Sequence, residues 1–307
     1  MSTALLFPGQ GSQRVGMGRD LAREHPAARR TYEEADAVLG FALSKLCFEG
    51  PESELVLTRN TQPAILATSI AVFRVLLERG LLFDVVAGHS LGEWSALVAA
   101  GAIELGDAVR LTHLRGQFMQ EAVPVGQGAM AAIMGLELAP LRAICEAASA
   151  PGEPVECANL NGGGQIVLSG HTDAIDRAIA AAKSAGAKIA KKLAVSAPFH
   201  CSLMKPAQDR LAAAMAGLAI AAPRVPVVAN VTAEPTRDPA QIRQLLIRQV
   251  TAPVRWEESI QAIAKQGVTR AYELGSGAVL KGLVKRIAPA IEITTIGEPH
   301  EVAAFSA

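Results

Sequence analysis

Gly88-His89-Ser90-Leu91-Gly92 stands between a buried-strand pattern, Leu82–Ala87, and a helix rich in small residues, Glu93–Ala100. The strand pattern reads Leu-Phe-Asp-Val-Val-Ala, and glycines bound it on both sides. Small side chains let a helix pack closely on a sheet, and a strand joined to a helix by a tight glycine turn is typical of α/β proteins. This segment therefore predicts an α/β fold.

Three further patterns belong to the first part of the chain. Thr3–Phe7 reads as a strand that ends at Pro8-Gly9, and Gly18–Leu39 reads as a helix rich in Glu, Ala and Arg. Gln62–Arg79 reads as a helix apolar enough to lie under a sheet, and Gly80 closes it. These patterns extend the α/β arrangement on the N-terminal side of the serine turn.

A second set of strands and helices begins after Val123–Gly128, where proline and glycine predict a hinge. The predicted strands are Ala129–Met134, Val155–Asn159, Gln165–Ser169 and Lys188–Val195, and the predicted helices are Ala139–Ser149 and Thr172–Ala185. The order strand, helix, strand, strand, helix, strand is that of a ferredoxin-like unit. We therefore predict an inserted subdomain over residues 125–197, within a larger α/β subdomain formed by residues 1–124 and 198–307.

Composition narrows the class of protein. The chain has 307 residues, of which 50% are hydrophobic and 19% charged, as in a compact folded protein rather than a disordered one. Lys plus Arg and Asp plus Glu each number 29, so no excess of positive charge points to nucleic acid as a partner. The four cysteines lack the spacing of a disulfide frame or a zinc site, and we expect no bound metal.

The sequence also predicts a location. The N-terminus lacks the basic start and long apolar run of a signal peptide. The most apolar later stretch, Pro63–Leu77, is interrupted by polar residues and falls short of the roughly 18 apolar residues of a spanning helix. We expect a cytoplasmic protein with no membrane partner.

Ser90 is the candidate nucleophile, because its turn fits the G-x-S-x-G pattern between a strand and a helix. The glycines permit a sharp, strained turn that lifts the serine hydroxyl clear of the sheet. The amide of Leu91 would then point at a developing oxyanion, at the positive end of the following helix. A glycine-rich turn with an incidental serine is the alternative, and the flanking strand and helix favour the nucleophile.

A serine nucleophile needs a base within hydrogen-bond reach, and the chain has six histidines. Four of them lie in polar stretches or on helices, where histidine is usually exposed or structural: His25, His113, His171 and His300. His89 adjoins Ser90, but so sharp a turn should direct the two side chains apart. His200 follows Ala197-Pro198-Phe199 at the junction of the two subdomains, where loops commonly line clefts. It is the candidate base.

No acid stands out as an orienting partner for His200, and a backbone carbonyl can fix the imidazole tautomer instead. The ordinary hydrolase order is serine, then acid, then a late histidine. The sequence therefore argues against an ordinary hydrolase triad.

Two other features admit a functional and a structural interpretation. The loop Phe7–Gln13 would lie beside the serine turn at the carboxyl ends of the strands, where its amides could supply a second oxyanion donor. It could equally be a tight turn. Arg115 could hold a carboxylate in two parallel hydrogen bonds. Its own surroundings favour a surface residue that lays its stem along an apolar helix.

Taken together, these segments resemble the malonyl-CoA:acyl carrier protein transacylases of fatty acid synthesis. The segments that carry the resemblance follow the family's order over essentially the whole chain: Phe7–Gln13, Gly88–Leu97, Leu114–Met119, Asn159–Gly170, Val195–Ala207, Pro226–Val231, Arg248–Glu257 and Tyr272–Lys285. The resemblance favours the functional interpretation of both His200 and Arg115.

The resemblance implies a two-step acyl transfer. Ser90, activated by His200, takes the malonyl group from malonyl-CoA and passes it to the phosphopantetheine thiol of acyl carrier protein. The amides of Gln10 and Leu91 would hold the oxyanion, and the backbone carbonyl of Gln249 would orient the histidine. No cofactor is implied, because malonyl-CoA is a substrate, and we expect a monomer.

Further residues are expected to contact substrate on the same grounds. Arg115 would pair with the free carboxylate of malonate, and Phe199, before the histidine, is similar to the residue that accompanies malonyl in related polyketide acyltransferases. Asn161 and Gln165 are expected near the pantetheine arm. Lys281 or Lys285 is expected near the phosphates. Trp94 stands where the family more usually has Tyr or Phe, and we expect this difference to alter the packing behind the nucleophile.

The fold expected is an α/β-hydrolase-like subdomain with a ferredoxin-like insert and the active site between them. Three rival functions stay open on the sequence. One is an acyltransferase serving a polyketide synthase or a malonate decarboxylase, another is a serine hydrolase that passes its acyl group to water, and the third is a degenerate binding module. The joint presence of Ser90, His200 and Arg115 argues against the last.

Overall fold

The structure is a computed structural model that describes residues 2–195 and 197–306. In these ranges the strands are β1 (Ser2–Phe7), β2 (Val85–Gly88), β3 (Gly128–Met134), β4 (Val155–Gly162), β5 (Gln165–His171), β6 (Ile189–Lys192), β7 (Val227–Val228), β8 (Pro235–Thr236), β9 (Val268–Leu274) and β10 (Glu292–Ile296).

The helices of the same ranges are α1 (Arg19–Glu24), α2 (Pro26–Leu39), α3 (Leu43–Glu49), α4 (Glu52–Leu55), α5 (Thr58–Glu78), α6 (Gly92–Ala99), α7 (Leu105–Glu121), α8 (Leu138–Ala148), α9 (Thr172–Ser184), α10 (Lys205–Ala214), α11 (Pro239–Arg248), α12 (Trp256–Lys265), α13 (Val279–Ile287) and α14 (Pro299–Ala304). A short 3₁₀ helix, Ser202–Met204, precedes α10.

A six-stranded sheet in the order β10-β9-β1-β2-β7-β8 forms the larger part of the fold, and its neighbouring strands are parallel except at β7 and β8. Along β1, Leu5 and Phe7 pack into the core with α5 and α6, whereas Ala4 and Leu6 pack with α12 and α13 on the other face. A parallel sheet covered by helices on both faces requires strands that are apolar throughout, as β1 is. Phe7 pairs with Gly88, so the loops after β1 and β2 leave the sheet side by side.

A four-stranded antiparallel sheet in the order β4-β5-β3-β6 forms the smaller part. Its chain order is β3-α8-β4-β5-α9-β6, and residues of both helices bury their apolar sides on it. This is the ferredoxin-like arrangement predicted from the sequence, so the predicted fold class is confirmed. The exact division at residues 125 and 197 stays a prediction.

Backbone hydrogen bonds attach the four-stranded sheet to the segment before α12. Val254 donates to the carbonyl of Ala158 over 2.8 Å, and its own carbonyl accepts from the amide of Leu160 over 2.9 Å. Because α12 packs on the six-stranded sheet, these bonds connect β4 to the larger part of the fold.

Helix α5 begins at Thr58, four residues earlier than predicted, and contains Pro63. A proline inside a helix cannot donate to the carbonyl four residues before it, here that of Arg59. The ring of His113 on α7 occupies that acceptor, with Nδ1 2.9 Å from the oxygen of Arg59. The structural interpretation of His113 therefore has a physical basis, because it satisfies the carbonyl that Pro63 leaves free.

Helix α5 is long and apolar enough to cross a membrane, but 89% of its most apolar stretch is buried inside the fold. Buried core helices of folded proteins commonly have the same length and composition. The helix packs against α2 and α7.

Other predicted boundaries were wrong. The helix predicted over Gly18–Leu39 is two helices, α1 and α2, because Pro26 favours an extended conformation at His25, which has φ −122° and ψ 115°. The strand predicted over Leu82–Ala87 is Val85–Gly88, shifted towards the serine turn.

Candidate active site

Ser90 lies in a left-handed backbone conformation, with φ 52°, between β2 and α6. Such a conformation is uncommon for a residue with a side chain and is typical of a strained nucleophile turn. At Gly92 a Cβ atom would overlap the carbonyl oxygen of Phe7, so the turn fits against the end of β1 only because that position is glycine. The local sequence thus forces the serine hydroxyl away from the sheet.

His200 contacts Ser90 from the loop before the 3₁₀ helix, with Nε2 2.7 Å from the serine Oγ. Its Nδ1 lies 2.8 Å from the backbone carbonyl of Gln249, at the end of α11. A carbonyl can only accept, so Nδ1 carries the proton and Nε2 has a free lone pair for the serine hydroxyl. His200 is itself left-handed, with φ 61°.

Burial, together with the positive charge of Arg115, lowers the pKa of His200 from 6.5 to about 3. The imidazole is therefore neutral near pH 7, which is the state a general base needs. Gln249 is the residue that the resemblance implied for orienting the histidine, and it is the one in contact.

The loop after β1 lies directly against the serine turn. The amide of His89 donates to the carbonyl of Phe7 over 3.0 Å, and a Cβ atom at Gly9 would overlap the His89 carbonyl oxygen. Within the described residues, no acceptor is recorded for the backbone N–H of Gln10 or of Leu91. Two unpaired N–H donors beside Ser90 are suited to bind an oxyanion, which is the role predicted for Gln10 and Leu91.

Arg115 is 2% exposed, so its interpretation as a surface residue is wrong. Its guanidinium donates to Oε1 of Gln62 over 2.6 Å, to Oε1 of Gln249 over 3.0 Å and to Oγ of Ser90 over 3.2 Å. Its Nε has no partner among the described residues, and burial lowers its pKa from 12.5 to about 10. A buried guanidinium with a free donor beside a nucleophile is suited to an anionic substrate group.

A cavity of about 330 Å³ between the two sheets contains these groups. Among the predicted contacts with substrate, Asn161, Gln165 and Phe199 line it, together with Arg286 of α13. Neither predicted lysine forms its wall: Arg286 does so from the same helix, and Lys281 lines a separate surface cavity. On α13, the cation that reaches this cavity and could meet a phosphate is thus Arg286.

His89 points away from Ser90, as expected from the sharp turn. Its Nε2 lies 2.9 Å from Oδ1 of Asn161, and its ring packs on Trp256 with centroids 5.5 Å apart. Burial lowers its pKa. A neutral His89 that donates through Nε2 leaves the amide nitrogen of Asn161 free to face the cavity.

Glu153, His171 and Asp173 are the group in the described ranges whose ligand atoms come close enough for a metal, within 4.8 Å of one another. Arg177 pairs with Glu153 over 2.8 Å, and His171 caps α9 by accepting from the amide of Asp173. The group is thus occupied by its own contacts, far from the chemistry above, and the expectation of no metal stays a prediction.

Comparison with known proteins assigns the family. The acyl transferase domain model matches residues 4–287. The malonyl CoA-acyl carrier protein transacylase of Salmonella typhimurium is 49% identical over 302 residues, which are 98% of this chain and 97% of the relative. This chain belongs to the malonyl CoA-acyl carrier protein transacylase family. It is therefore an acyltransferase.

Solved structures of the family have the same fold. The acyl-carrier-protein S-malonyltransferase of Bartonella henselae superimposes with a TM-score of 0.96 at 47% identity, covering 99% of this chain and 98% of that one. A malonyl-transacylase in complex with a type II polyketide acyl carrier protein has the same TM-score, 0.96, at 46% identity and covers the same shares of the two chains, 99% and 98%.

Three buried residues at this transacylase-type site escaped the sequence analysis: Gln62, Glu93 and Asn230. Oδ1 of Asn230 accepts from the amide of Ser90 over 2.8 Å, and its Nδ2 donates to the carbonyl of Gly88 over 2.7 Å. Asn230 therefore holds both arms of the serine turn. Its position two residues after β7, a short strand of the same sheet, was the available signal, because residues that follow parallel strands meet at one sheet edge.

Proposed function

We propose that this chain transfers the malonyl group from malonyl-CoA to the phosphopantetheine thiol of acyl carrier protein, through a malonyl ester on Ser90. The contact that carries the proposal is the one between Ser90, His200 and Arg115. It combines a nucleophile, a neutral base and a buried cation in a single cavity.

In the first step His200 Nε2 accepts the hydroxyl proton while Ser90 Oγ bonds to the thioester carbonyl carbon. The amides of Gln10 and Leu91 receive the oxyanion that forms. When the tetrahedral intermediate collapses, the carbon–sulfur bond breaks and the thiolate of CoA takes the proton from His200. The products are malonyl-Ser90 and free CoA.

The second step runs in the opposite direction with another thiol. The phosphopantetheine thiol of the carrier protein gives its proton to His200, and its sulfur attacks the ester carbonyl of malonyl-Ser90. Collapse of this intermediate returns the proton to Ser90 Oγ and leaves malonyl on the carrier. Acyl transfer exchanges no electrons, so the proposed reaction needs no redox cofactor.

Arg115 supports malonyl as the acyl group. Its guanidinium reaches Ser90 Oγ over 3.2 Å, so the far carboxylate of a malonyl group bound to that oxygen would lie within its range. Phe199 lines the cavity next to the base, where its ring would oppose a branch on the acyl chain. A neutral acyl group would leave the guanidinium without a counter-charge.

A polyketide carrier protein is a second candidate acceptor. The observation that favours it is the similarity to the malonyl-transacylase solved with a type II polyketide carrier. The cation Arg286 at the cavity would suit the phosphate of either carrier, so the chemistry of the site is shared. A cytoplasmic location and a monomeric state remain predictions.

Labelling tests the mechanism. Radioactive malonyl-CoA should attach one malonyl group to Ser90, and Ser90→Ala should abolish the label while the protein stays folded. A label on another residue would contradict the mechanism. A transfer assay then compares fatty-acid and polyketide carrier proteins as acceptors, with released malonate measured in parallel. Malonyl on a carrier identifies the acceptor, whereas free malonate would indicate hydrolysis.

A further inference from the structure

Glu93 is an acid buried behind the nucleophile, in the first turn of α6, and it is 2% exposed. Its Oε2 accepts from the backbone N–H of Asn230 over 3.0 Å and from Nε2 of Gln249 over 2.7 Å. Both donors belong to residues that contact Ser90. A buried carboxyl group with two donors so close to a reaction centre requires an explanation.

Three acceptors surround Nε2 of Gln249, namely Oε2 of Glu93 at 2.7 Å, the carbonyl oxygen of Ser90 at 2.9 Å and Oδ1 of Asn230 at 3.2 Å, and the Glu93 carboxylate is the nearest and the only charged one among them. An ionised carboxylate can only accept hydrogen bonds, so it requires the NH₂ end of Gln249 to face it. The carbonyl end, Oε1, then faces the opposite way and accepts from Arg115 over 3.0 Å. With the amide reversed, its NH₂ group would meet the guanidinium, donor against donor.

The Gln249 amide thus connects two buried opposite charges, Glu93 and Arg115, which form no direct ion pair. Besides Ser90 Oγ, the guanidinium of Arg115 has two amide acceptors, Oε1 of Gln249 on one terminal nitrogen and Oε1 of Gln62 on the other. Each acceptor fixes one nitrogen of the planar group, and the two together define its plane.

We propose that Glu93 is a positioning residue, which acts through the Gln249 amide to hold Arg115 in the orientation that receives the carboxylate of the acyl group. The inference rests on the proposed function, because it concerns the same acyl substrate. It differs from the orientation of His200, which depends on the backbone carbonyl of Gln249 and not on its side chain.

The test is the ratio of malonyl to acetyl transfer onto Ser90, measured in single turnovers above the pKa of Glu93, which burial raises to about 7. Glu93→Gln removes the charge at constant size and so weakens the shortest of the three bonds that hold the NH₂ end of Gln249 in place. We expect the malonyl to acetyl ratio to fall about tenfold or more, the usual worth of a hydrogen bond to a charged group. Glu93→Asp, which keeps the anion, should recover most of the ratio.

A second variant identifies the route. Gln249→Met removes the side-chain amide but keeps the backbone carbonyl on which His200 depends. The same fall in ratio is expected, and adding Glu93→Gln to it should lower the ratio no further. Glu104→Gln neutralises an exposed acid at the start of α7 and should leave the ratio unchanged.

The outcomes separate the two proposals. If the unaltered protein fails to acquire malonyl on Ser90, the proposed function fails. If it is labelled but Glu93→Gln keeps the malonyl to acetyl ratio, or the two substitutions lower it independently, the role of Glu93 is refuted. Circular dichroism checks that each variant is folded. If Glu93→Gln does not fold, an unchanged malonyl to acetyl ratio in Gln249→Met is by itself enough to refute the role of Glu93.

Discussion

Replacing Arg115 with alanine should reduce malonyl transfer far more than acetyl transfer. The guanidinium is buried and makes three hydrogen bonds in the free protein, one of them to the nucleophile. Removing one partner of a buried hydrogen-bonded charge pair costs about 2–5 kcal/mol. For the malonyl substrate this corresponds to a fall of about 30- to 5,000-fold in kcat/KM.

The acetyl substrate has no carboxylate and loses less. Its transfer should suffer mainly from the loss of the hydrogen bond that the charged guanidinium donates to Ser90 Oγ, worth about 1.5–3 kcal/mol. The central costs of about 3.5 kcal/mol for malonyl and about 2.2 kcal/mol for acetyl differ by about 1.3 kcal/mol, so we expect the ratio of malonyl to acetyl kcat/KM to fall about tenfold. The malonyl to acetyl ratio of Arg115→Lys should lie between those of the unaltered protein and Arg115→Ala, because lysine keeps the charge without the planar pair of donors.

The assay is acylation of Ser90 at limiting malonyl-CoA or acetyl-CoA, followed by release of CoA. Arg110→Ala is the matched control, because Arg110 lies on the same helix but pairs with Asp107 at the surface. It should behave as the unaltered protein. Equal losses for both acyl groups in Arg115→Ala would refute the carboxylate role and reduce Arg115 to a structural support of the serine turn.

Three other perturbations follow from the same geometry. Gly92→Ala, whose methyl group would overlap the carbonyl of Phe7, should lower the free energy of unfolding by about 1–3 kcal/mol or more and slow acylation. Gly217→Ala is the control, because the space around Gly217 is open. Equal melting temperatures for the two variants would contradict the close packing at Gly92. Phe199→Ala should raise methylmalonyl transfer relative to malonyl, and an unchanged ratio in competition assays would exclude a role in selectivity. The pKa of His200 falls from 6.5 to about 3 on folding, so its contribution to stability decreases as the pH falls through that range. The pKa of Glu93 rises from 4.5 to about 7, so its contribution decreases as the pH rises. The free energy of unfolding of His200→Gln and Glu93→Gln, measured by urea titration between pH 4.5 and 6.5, should therefore differ from that of the unaltered protein by opposite changes in its slope against pH, and changes of the same sign would contradict one of the two shifts.

Much of the fold and of the site could be predicted because short stretches of sequence determine the local structure there. The glycines around Ser90, the buried strand before it and the small residues after it all specify one turn, and that turn is present. The βαββαβ order was readable because each element has its own period and turn residues. Two predicted helix boundaries were wrong at prolines, because Pro26 begins a new helix, α2, and Pro63 lies inside α5 instead of near its start.

The remaining site residues depend on contacts between distant segments. Glu93, Asn230 and Gln62 are ordinary polar residues in their own segments. Only the pairing of strands in the sheet brings Oδ1 of Asn230 within 2.8 Å of the Ser90 amide nitrogen. Arg115 shows the same limit, since its helix pattern is typical of a surface residue. The resemblance to a family corrected that interpretation, because it supplied the long-range information that periodicity lacks.

The strand order has a consequence for how the molecule is made. Strand β1 lies between β2 and β9, and β9 begins only at Val268. A growing chain on the ribosome therefore carries β1 with one edge unpaired until β9 has been translated, and unpaired edges invite aggregation. The loop that holds Gln10 beside the nucleophile is anchored on that same strand. Completion of the active site is thus coupled to the pairing of two strands that are far apart in the sequence.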